Sequence, residues 1–538
     1  MQVETLDTTV INFINEIKAK YEQQIEEIKK QFEQQYKSLQ ESFYEYQAKY
    51  LLIKEQYDLL IYKRFMRSAE QLQADKNQPL LFTEKAAKAE EAKEKDTVEL
   101  IEIKSYKRNK KGRKAIDPGI ERIERIIDIS ESEKTCACGE KLTKIGEESS
   151  EKLIFIPAKI YVDKAIRPKY ACRACEGTED EDKPTVKIAP VEPSIIPRSI
   201  VSPSLLATII IQKYEYHLPF YRQEKLFMQI GVRISRQDMC NWQQKGYKAL
   251  EPLYDIFKET VKSGPVIRMD ETTVQVVYEA GRSYTQESYM WLARGGPPGK
   301  PVVLYEYRET RAGKHAKELL EGFSGYLQTD GYEGYDLAVK DMPGIIHVGC
   351  FAHARRRFFE AAQIAEQGGT AKEGIEYIRR LYEIENKLRE EKEEQGQTDE
   401  EFLAKRKERA KPVLADFKTW LLNNVDIVPP SCLLGKAVGY SIRQWDKLIR
   451  YLESPYLTPD NNASENAIRP FVLGRKNWLF NQTADGAESS CGMYSLIETA
   501  KQNGLVPMRY LMALFEKAPL ASSPKDWEKL LPWNIFTP

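Results

Sequence analysis

The 538-residue sequence predicts a multidomain α/β protein. A long heptad pattern of apolar residues near the N-terminus predicts a coiled coil, and four clustered cysteines predict a small zinc ribbon. Further along, strand-like segments alternate with helix-like segments, which is typical of a sheet covered by helices. Several domains are expected because a chain of this length exceeds what one hydrophobic core usually serves.

The composition indicates the cellular compartment of the protein but not its binding partner. The chain has 81 basic and 81 acidic residues, so its formal net charge of zero neither indicates nor excludes a polyanionic ligand. Eight cysteines, half of them clustered, favour a metal site in a reducing compartment over a disulfide framework. The N-terminus lacks a secretory pattern, and no apolar run approaches membrane-spanning length. We therefore expect a cytoplasmic protein.

Residues 1–75 carry the coiled-coil pattern. Apolar residues recur at strict intervals of seven, with mostly Glu, Gln and Lys between them. The positions are Ile25, Phe32, Leu39, Tyr46 and Ile53. So narrow an apolar stripe on a polar helix requires a partner. We expect self-association; docking on the rest of the chain is the alternative.

Residues 76–116 predict a charged linker that ends in the basic run KSYKRNKKGRK, residues 104–114. Such a run suits contacts with DNA phosphates, which supply affinity without sequence information. The expected contacts are Lys107, Arg108, Lys110, Lys111 and Arg113. A linker that is merely solvated explains the composition equally well.

Residues 117–185 predict a zinc-ribbon-like DNA-binding module. Two cysteine pairs, Cys136-x-Cys138 and Cys172-x-x-Cys175, flank a strand-like segment. Four thiolates would hold one structural Zn²⁺ and leave no open position for chemistry. Buried or unpaired thiols are the alternative.

Residues 186–255 predict a helical DNA-binding region. Its last two helices have helix-turn-helix form, with a glycine turn and a second helix capped by Ser235. The side chains expected to reach DNA are Arg236, Gln237, Asn241 and Gln243. A three-helix core without a DNA role is the alternative.

Residues 256–500 predict a catalytic sheet domain, followed by a C-terminal segment at 501–538. The order strand, strand, strand, helix, strand, helix, strand is that of a ribonuclease-H-like sheet. In that layout Asp270 on the first strand and Asp330 at the end of the fourth become neighbours, and a later helix can add Glu465. The 135 residues between Asp330 and Glu465 are explained by a helical insertion at about 365–455.

The stretch from Pro459 to Phe480 predicts the helix that carries Glu465. Thr458 is the expected N-cap, with Pro459 at the first helical position, and Pro470 is expected to end or kink the helix. A structural ion pair between Glu465 and Arg469 is the simplest interpretation of this stretch alone. The expected DNA contacts are Arg469, Arg475 and Lys476, while Trp478 suits a core position.

Three clustered carboxylates repel one another and become protonated unless a cation neutralises them. Oxygen ligands of this kind suit Mg²⁺ or Mn²⁺. Two such ions can activate a water or a 3′-hydroxyl and stabilise the leaving oxygen of a phosphodiester. Asp270, Asp330 and Glu465 are therefore the predicted catalytic metal ligands.

Four motifs carry a resemblance that covers nearly the whole chain. They are MDETTVQV at Asp270, LQTDGYEGY at Asp330, GCFAHARRRF at 349–358 and NNASENAIRPFVLGRKNWLFNQTADGAESS at 461–490. The chain resembles the bacterial insertion-sequence transposases of the IS66 type. The resemblance implies a DDE transposase that cuts element ends and joins 3′-hydroxyls to target DNA. It also implies terminal inverted repeats as substrate, accessory proteins of the same element and association with the nucleoid. Thr135 stands where the family's first knuckle cysteine usually lies.

Other interpretations use the same residues. His353-x-x-Arg356 resembles part of a tyrosine-recombinase site, which would form a covalent intermediate without metal. The sequence shows no complete pattern of that kind. A DNA-binding repressor derived from a transposase is the non-catalytic alternative. For Cys350-x-x-His353 a structural role at the strand-to-helix junction is expected, because the pair lacks evident partners in the sequence.

Overall fold

The computed structural model describes residues 8–65, 160–171, 186–364 and 369–535. The chain divides into two compact units, one of Met1–Lys85 with Glu192–Pro538 and the other of Ala86–Val191. The knuckle cysteines Cys136, Cys138, Cys172 and Cys175 and the basic run at 104–114 lie outside the described residues. The zinc and linker assignments therefore stay predictions.

In the unit of residues 86–191, the described part contains a short antiparallel ladder. Strand β1 (Lys169–Ala171) pairs with β2 (Val186–Ile188). Residues 160–168, which include part of the segment expected to be strand-like, form no strand. The ladder therefore begins only three residues before Cys172.

The larger unit is mostly helical around one mixed sheet. Its strands are β3 (Val266–Tyr278), β4 (Glu287–Gly295), β5 (Val302–Arg308), β6 (Gly325–Gln328), β7 (Ile345–Val348) and β8 (Asn481–Thr483). Its helices up to the sheet are α1 (Thr8–Phe65), α2 (Pro203–Tyr214), α3 (Phe220–Gln229), α4 (Arg236–Ala249) and α5 (Glu251–Lys262). Those that follow are α6 (Gly313–Leu319), α7 (Glu333–Val339), α8 (Phe351–Ile364), α9 (Gly369–Gln395), α10 (Asp399–Val425), α11 (Leu433–Arg443), α12 (Trp445–Leu448), α13 (Asn462–Trp478), α14 (Ala484–Gln502), α15 (Pro507–Lys517) and α16 (Pro524–Glu528).

The sheet has the strand order β5-β4-β3-β6-β7, with β8 pairing the far end of β3. Strands β3, β4 and β5 form an antiparallel meander, whereas β6 and β7 run parallel to β3. Helix α14 covers the edge strand β5, where Ser495 and Thr499 hydroxyls accept the backbone N–H groups of Tyr305 and Val303 at 2.8 and 3.0 Å. Covering an edge in this way prevents pairing with another chain.

The helical region before the sheet shares the sheet's core. Buried side chains of α2, α4 and α5 belong to the same apolar cluster as those of β3, β4, β5, α14 and α15. Trp242 on α4 and Trp291 on β4 are both members. Helices α2–α5 therefore pack on the sheet through their buried faces and expose their other faces to solvent.

The insertion between β7 and α13 forms most of a second apolar cluster, which also includes Val266 of β3 and Val348 of β7. Helices α8–α12 pack around Phe358, Phe417 and Trp445. Arg406, in the basic run of α10, is fully buried and donates to Glu385 and to the carbonyls of Tyr451, Ser454 and Leu457. Arg406 therefore has a structural role, because it is enclosed by the insertion.

Helix α1 is one continuous helix of 58 residues, which corresponds to about 87 Å. Near its C-terminal end, both carboxylate oxygens of Glu55 accept the backbone N–H of Leu433, at 3.0 and 3.1 Å, where α11 begins. Within the described ranges, none of the helices combines the length and the apolarity needed to cross a membrane.

Candidate active site

The pairing of two parallel strands brings two acids together. Arg268 on β3 pairs with Gln328 on β6. Asp270 lies two residues beyond this pair within β3, where it pairs with Leu292 of β4. Asp330 also lies two residues beyond the pair, after the end of β6, and its charge acts on Asp270. Asp330 follows the end of β6, and its Oδ1 accepts the backbone N–H of Tyr332 at 2.9 Å.

The next residue, Gly331, meets a neighbouring helix. A Cβ atom at this position would lie 2.6 Å from the ring of Tyr440 on α11. Only glycine allows the chain to turn here without displacing that ring. The ring of Tyr440 therefore packs directly on the backbone that follows Asp330.

The third acid comes from the first turn of α13. The start of this helix is held against β3, because Asn461 Nδ2 donates to the carbonyl of Met269, the residue before Asp270, at 2.8 Å. The segment before it is fixed by Gln328, whose Nε2 donates to the carbonyl of Thr458 at 2.7 Å. Glu465 then follows one turn into the helix, close enough to the two aspartates for their charges to interact.

The electrostatics of the three acids are those of a crowded carboxylate cluster. Burial raises the pKa of Asp270 well above its usual range, and the charges of Glu271, Glu465 and Asp330 raise it further. Burial also raises the pKa of Glu465; Asp460 and Asp330 add to the shift, and the Arg356 guanidinium opposes it. Oε1 of Glu465 is buried without a hydrogen-bond partner. A divalent cation would relieve both the repulsion and the unpaired oxygen, so the donor set fits Mg²⁺ or Mn²⁺.

A fourth acid, Glu271, lies next to Asp270 in the strand but is already paired. Its side chain is 2% exposed and contacts the Arg311 guanidinium at 2.5 Å and the Tyr335 hydroxyl. Burial raises the pKa of Glu271, whereas the hydrogen bond from Tyr335 lowers it. Adjacent strand residues point to opposite faces. Glu271 therefore anchors α7 and the loop before α6 rather than joining the three acids.

Helix α8 supplies two groups that the sequence did not link to Glu465. Arg356 Nη2 lies 3.5 Å from Oε2 of Glu465, and His353 Nδ1 lies 3.6 Å from Oε1. Burial and the Arg356 charge lower the pKa of His353 to about 4, so its ring is neutral at pH 7. Cys350 is close as well, so the expectation that Cys350-x-x-His353 lacks partners is wrong. The Cys-x-x-His spacing was the signal in the sequence, but only the folded structure shows that Glu465 lies beside this pair.

The basic residues of α13 have different environments. Arg475 donates to the hydroxyls of Thr272 and Thr273 at 3.2 and 2.8 Å and to the Thr273 carbonyl. All three bonds come from Nη1 and link Arg475 to β3; a phosphate contact by the rest of its guanidinium stays a prediction. Lys476 is exposed and Arg469 half-buried. Trp478 packs edge-on against Tyr214, with ring centroids 6.1 Å apart, in the core position that the sequence favoured.

The pair α3–α4 has the expected turn and cap. Gly231 has a φ of +83°, and Ser235 and Asp238 form a capping box at the start of α4. Arg236 and Gln237 are exposed in the first turn. Gln243 is not available for DNA, because it is buried, donates to Ser489 at 2.8 Å and accepts from Lys213 at 2.9 Å.

A mixed sheet with a buried carboxylate cluster, joined to a helix-turn-helix pair and a helical insertion, defines a class of protein that acts on nucleic acid. Comparison with known families gives the particular one. Residues 198–489 match the model described as "Transposase IS66 family". Residues 133–176 match "zinc-finger binding domain of transposase IS66", 495–533 "IS66 C-terminal element" and 52–125 "Transposase C of IS166 homeodomain". The chain belongs to the IS66 transposase family.

Relatives span most of the chain. The "Uncharacterized protein y4jD" of Sinorhizobium fredii is 30% identical over 426 residues, which cover 77% of this chain and 80% of that protein. The "Uncharacterized protein y4hP" of the same organism is 30% identical over 440 residues, covering 78% and 76%. The family's domains give this chain a transposase-type DNA-binding function.

Proposed function

We propose that this protein is a DDE transposase that binds the terminal inverted repeats of an insertion sequence, cleaves phosphodiester bonds there and joins the 3′-hydroxyl ends to target DNA. The observation that supports the proposal is that the carboxylates of Asp270, Asp330 and Glu465 come from three separate elements and interact electrostatically. The strand order and directions support a ribonuclease-H-like sheet as its frame.

Asp270, Asp330 and Glu465 would hold Mg²⁺ or Mn²⁺. When bound, such ions lower the pKa of an attacking water or hydroxyl and stabilise the leaving oxygen of a phosphodiester. The protein's own contribution is to fix the three carboxylates. The parallel pairing of β3 and β6 places the aspartates, and Asn461 holds the start of α13 against β3. Arg356 limits the repulsion at Glu465 by supplying a positive charge.

DNA would be held by elements from several separate parts of the chain. Lys476 on α13 and Arg236 and Gln237 on α4 are exposed, which supports phosphate or base contacts. The cysteine module at 117–185, with one structural Zn²⁺, and the basic linker would extend this contact. We also propose self-association through α1 and cooperation with accessory proteins of the same element at the nucleoid.

The test is strand transfer with labelled element ends and Mg²⁺. Asp270→Asn, Asp330→Asn and Glu465→Gln should each lower cleavage and joining by more than about 100-fold, since even the outer partners of metal ligands are worth 10- to 100-fold. Binding of the ends in a gel-shift assay should be retained. The matched controls are Asp341→Asn and Glu321→Gln, which replace exposed acids on the same domain and should leave all steps unchanged.

Other results would favour other functions. A wild-type protein that retards the ends but never nicks them would be a repressor rather than a transposase. A covalent protein–DNA adduct that persists in EDTA would indicate a tyrosine recombinase. Full activity in all three acid variants would contradict the assignment of the carboxylates.

A further inference from the structure

A second group of potential ligands lies where β7 leads into α8. The ligand atoms of Cys350, His353 and Glu465 all lie within 4.8 Å of one another. Cys350 is fully buried. Nδ1 of His353 and Oε1 of Glu465 are 3.6 Å apart, and both are shielded from solvent without a hydrogen-bond partner. Buried polar atoms are normally paired, so two unpaired atoms that face each other indicate a missing binding partner.

The chemistry of the three donors selects that partner. A sulfur, an imidazole nitrogen and a carboxylate oxygen suit Zn²⁺ and its close relatives, whereas Mg²⁺ prefers oxygen alone. We propose that Cys350, His353 and Glu465 form a site for Zn²⁺ that is separate from the cysteine module at 117–185. Three protein ligands leave a fourth tetrahedral position for water or substrate, as in catalytic rather than structural zinc sites.

The surroundings of the sulfur favour its charged form once an ion is present. The backbone N–H groups of Asn461, at 3.2 Å, and of His353 both point to Sγ of Cys350. In the absence of a cation, burial raises the pKa of Cys350, so the thiol keeps its proton. Metal binding releases that proton to solvent, because only the thiolate is a ligand. The imidazole of His353 is neutral at pH 7, which is the ligand form.

The competing explanation is that Cys350 only caps α8. The same chain supplies a comparison in Cys432, which lies at the start of α11 and whose Sγ accepts the backbone N–H of Gly435 at 3.3 Å. Cys432 therefore caps the N-terminus of α11. Within the described ranges, the cluster of potential metal ligands includes Cys350 and does not include Cys432. The comparison of Cys350 with Cys432 therefore distinguishes metal binding from helix capping.

Zinc at this site has a consequence for the three acids, and this consequence rests on the proposed function. Glu465 belongs both to the zinc ligands and to the carboxylate cluster. A carboxylate that is neutralised by Zn²⁺ no longer offers its full charge to the ions held with Asp270 and Asp330. We expect Zn²⁺ to inhibit Mg²⁺-dependent strand transfer through Glu465.

The test measures metal on the full-length protein. Zinc retained after gel filtration, and the Co²⁺–thiolate absorption after exchange, are compared among wild type, Cys350→Ser, His353→Gln and the capping control Cys432→Ser. Each of the first two variants should retain one ion fewer per chain than wild type, and Cys432→Ser should match wild type. Cys172→Ser should lose only the ion of the cysteine module, so Co²⁺–thiolate absorption from Cys350 should remain.

Equal metal content in wild type, Cys350→Ser and His353→Gln would overturn the site. If Cys350→Ser does not fold, His353→Gln decides, because the partly exposed His353 side chain is not a member of the apolar core. Inhibition is read as the ratio of strand transfer with and without Zn²⁺ within each protein, and it should be weaker in His353→Gln. If wild type shows no strand transfer, the proposed function fails while the metal counts still decide this inference.

Discussion

At the scale of single residues, two arginines on α10 show how differently one basic run can be used. Arg406 is fully buried, whereas the side chain of Arg409 is 41% exposed and pairs with Glu391 at 2.7 Å. Both would look alike in a sequence, because each lies in a run of Lys and Arg. Their surroundings differ because α10 turns one face to the insertion core and the other to solvent.

Arg406→Ala should destabilise the insertion strongly. It removes one of the two arginine partners of the buried Glu385, the other being Arg389, and it removes a donor from three carbonyls; each buried acceptor left unsatisfied costs about 1–3 kcal/mol. Arg409→Ala removes only a surface pair, which is worth at most about 1 kcal/mol. Urea unfolding followed by tryptophan fluorescence measures the two midpoints. Equal shifts for the two variants would contradict the structural role of Arg406.

Asp336 gives a prediction for the pH dependence of stability. Its carboxylate accepts from His347 Nδ1 at 2.8 Å and lies 2.6 Å from Lys447 Nζ. The hydrogen bond from His347, followed by that from Lys447, lowers the pKa of Asp336 from 3.8 to about 2. Above pH ~4 the carboxylate is ionised in both states, and its partners stabilise the folded protein. Between pH ~4 and ~2 the unfolded chain takes up the proton first, so this stability is lost.

The difference in the free energy of unfolding between wild type and Asp336→Asn should therefore shrink between pH ~4 and pH ~2. Urea midpoints at a series of pH values in this range measure it. Asp341→Asn is the control, because Asp341 is 73% exposed and its pair with Lys317 at 3.6 Å is a surface contact. A difference that grows from pH ~4 to pH ~2 would contradict the assigned sign.

At the scale of elements, the sequence predicted the order of strands and helices in the sheet but not the details of α13. Hydrophobic periodicity reveals elements because burial repeats with the backbone. The helix begins at Asn462 rather than at Pro459: Asp460 Oδ1 accepts the backbone N–H of Asn462, and Asn461 donates to the Met269 carbonyl on β3. It also continues through Pro470 to Trp478. Tertiary contacts decided these points, and they are invisible in a single sequence.

The same limit applies to the candidate site. Asp270, Asp330 and Glu465 could be proposed from strand order, because parallel neighbours place equivalent positions together. His353 and Arg356 could not be assigned to Glu465, since 109 residues separate Arg356 from it along the chain. Gln243 was expected to contact DNA because its type suits it, yet it is buried and bound by Ser489 and Lys213. Residue type predicts which contacts a side chain can make, whereas packing decides which contacts it does make.

Helix α1 carries the prediction that belongs to this scale. Its heptad side chains are exposed, from 52% for Ile25 to 72% for Tyr46. Burying this stripe against a second copy would remove apolar surface from water along most of the helix. Phe32→Glu with Leu39→Glu should therefore lower the sedimentation mass to that of the monomer. Gln34→Glu with Gln40→Glu adds the same charge outside the strict heptad positions and is the control. An unchanged mass in the first variant would contradict self-association through α1.

At the scale of the whole molecule, the balance of charge makes DNA binding a local property. With 81 basic and 81 acidic residues, the chain has no net attraction for a polyanion. Many of the charges on the insertion are also used internally, as in the pairs of Arg379 with Glu376 and of Lys392 with Asp399. Affinity for phosphates must then come from a few segments in which basic residues outnumber acidic ones.

The linker run at 104–114 is the segment with the greatest such excess, with seven basic residues in eleven positions. Each phosphate contact contributes about 0.9 to the slope of log K against log salt concentration. Replacing Lys107, Arg108, Lys110, Lys111 and Arg113 by alanine should lower the slope by up to about 4.5. Lys407→Ala with Lys411→Ala, in the basic run of α10, should leave it unchanged. If only the α10 variant lowers the slope, phosphates follow the insertion instead of the linker, and the contact surface proposed for this protein moves with them.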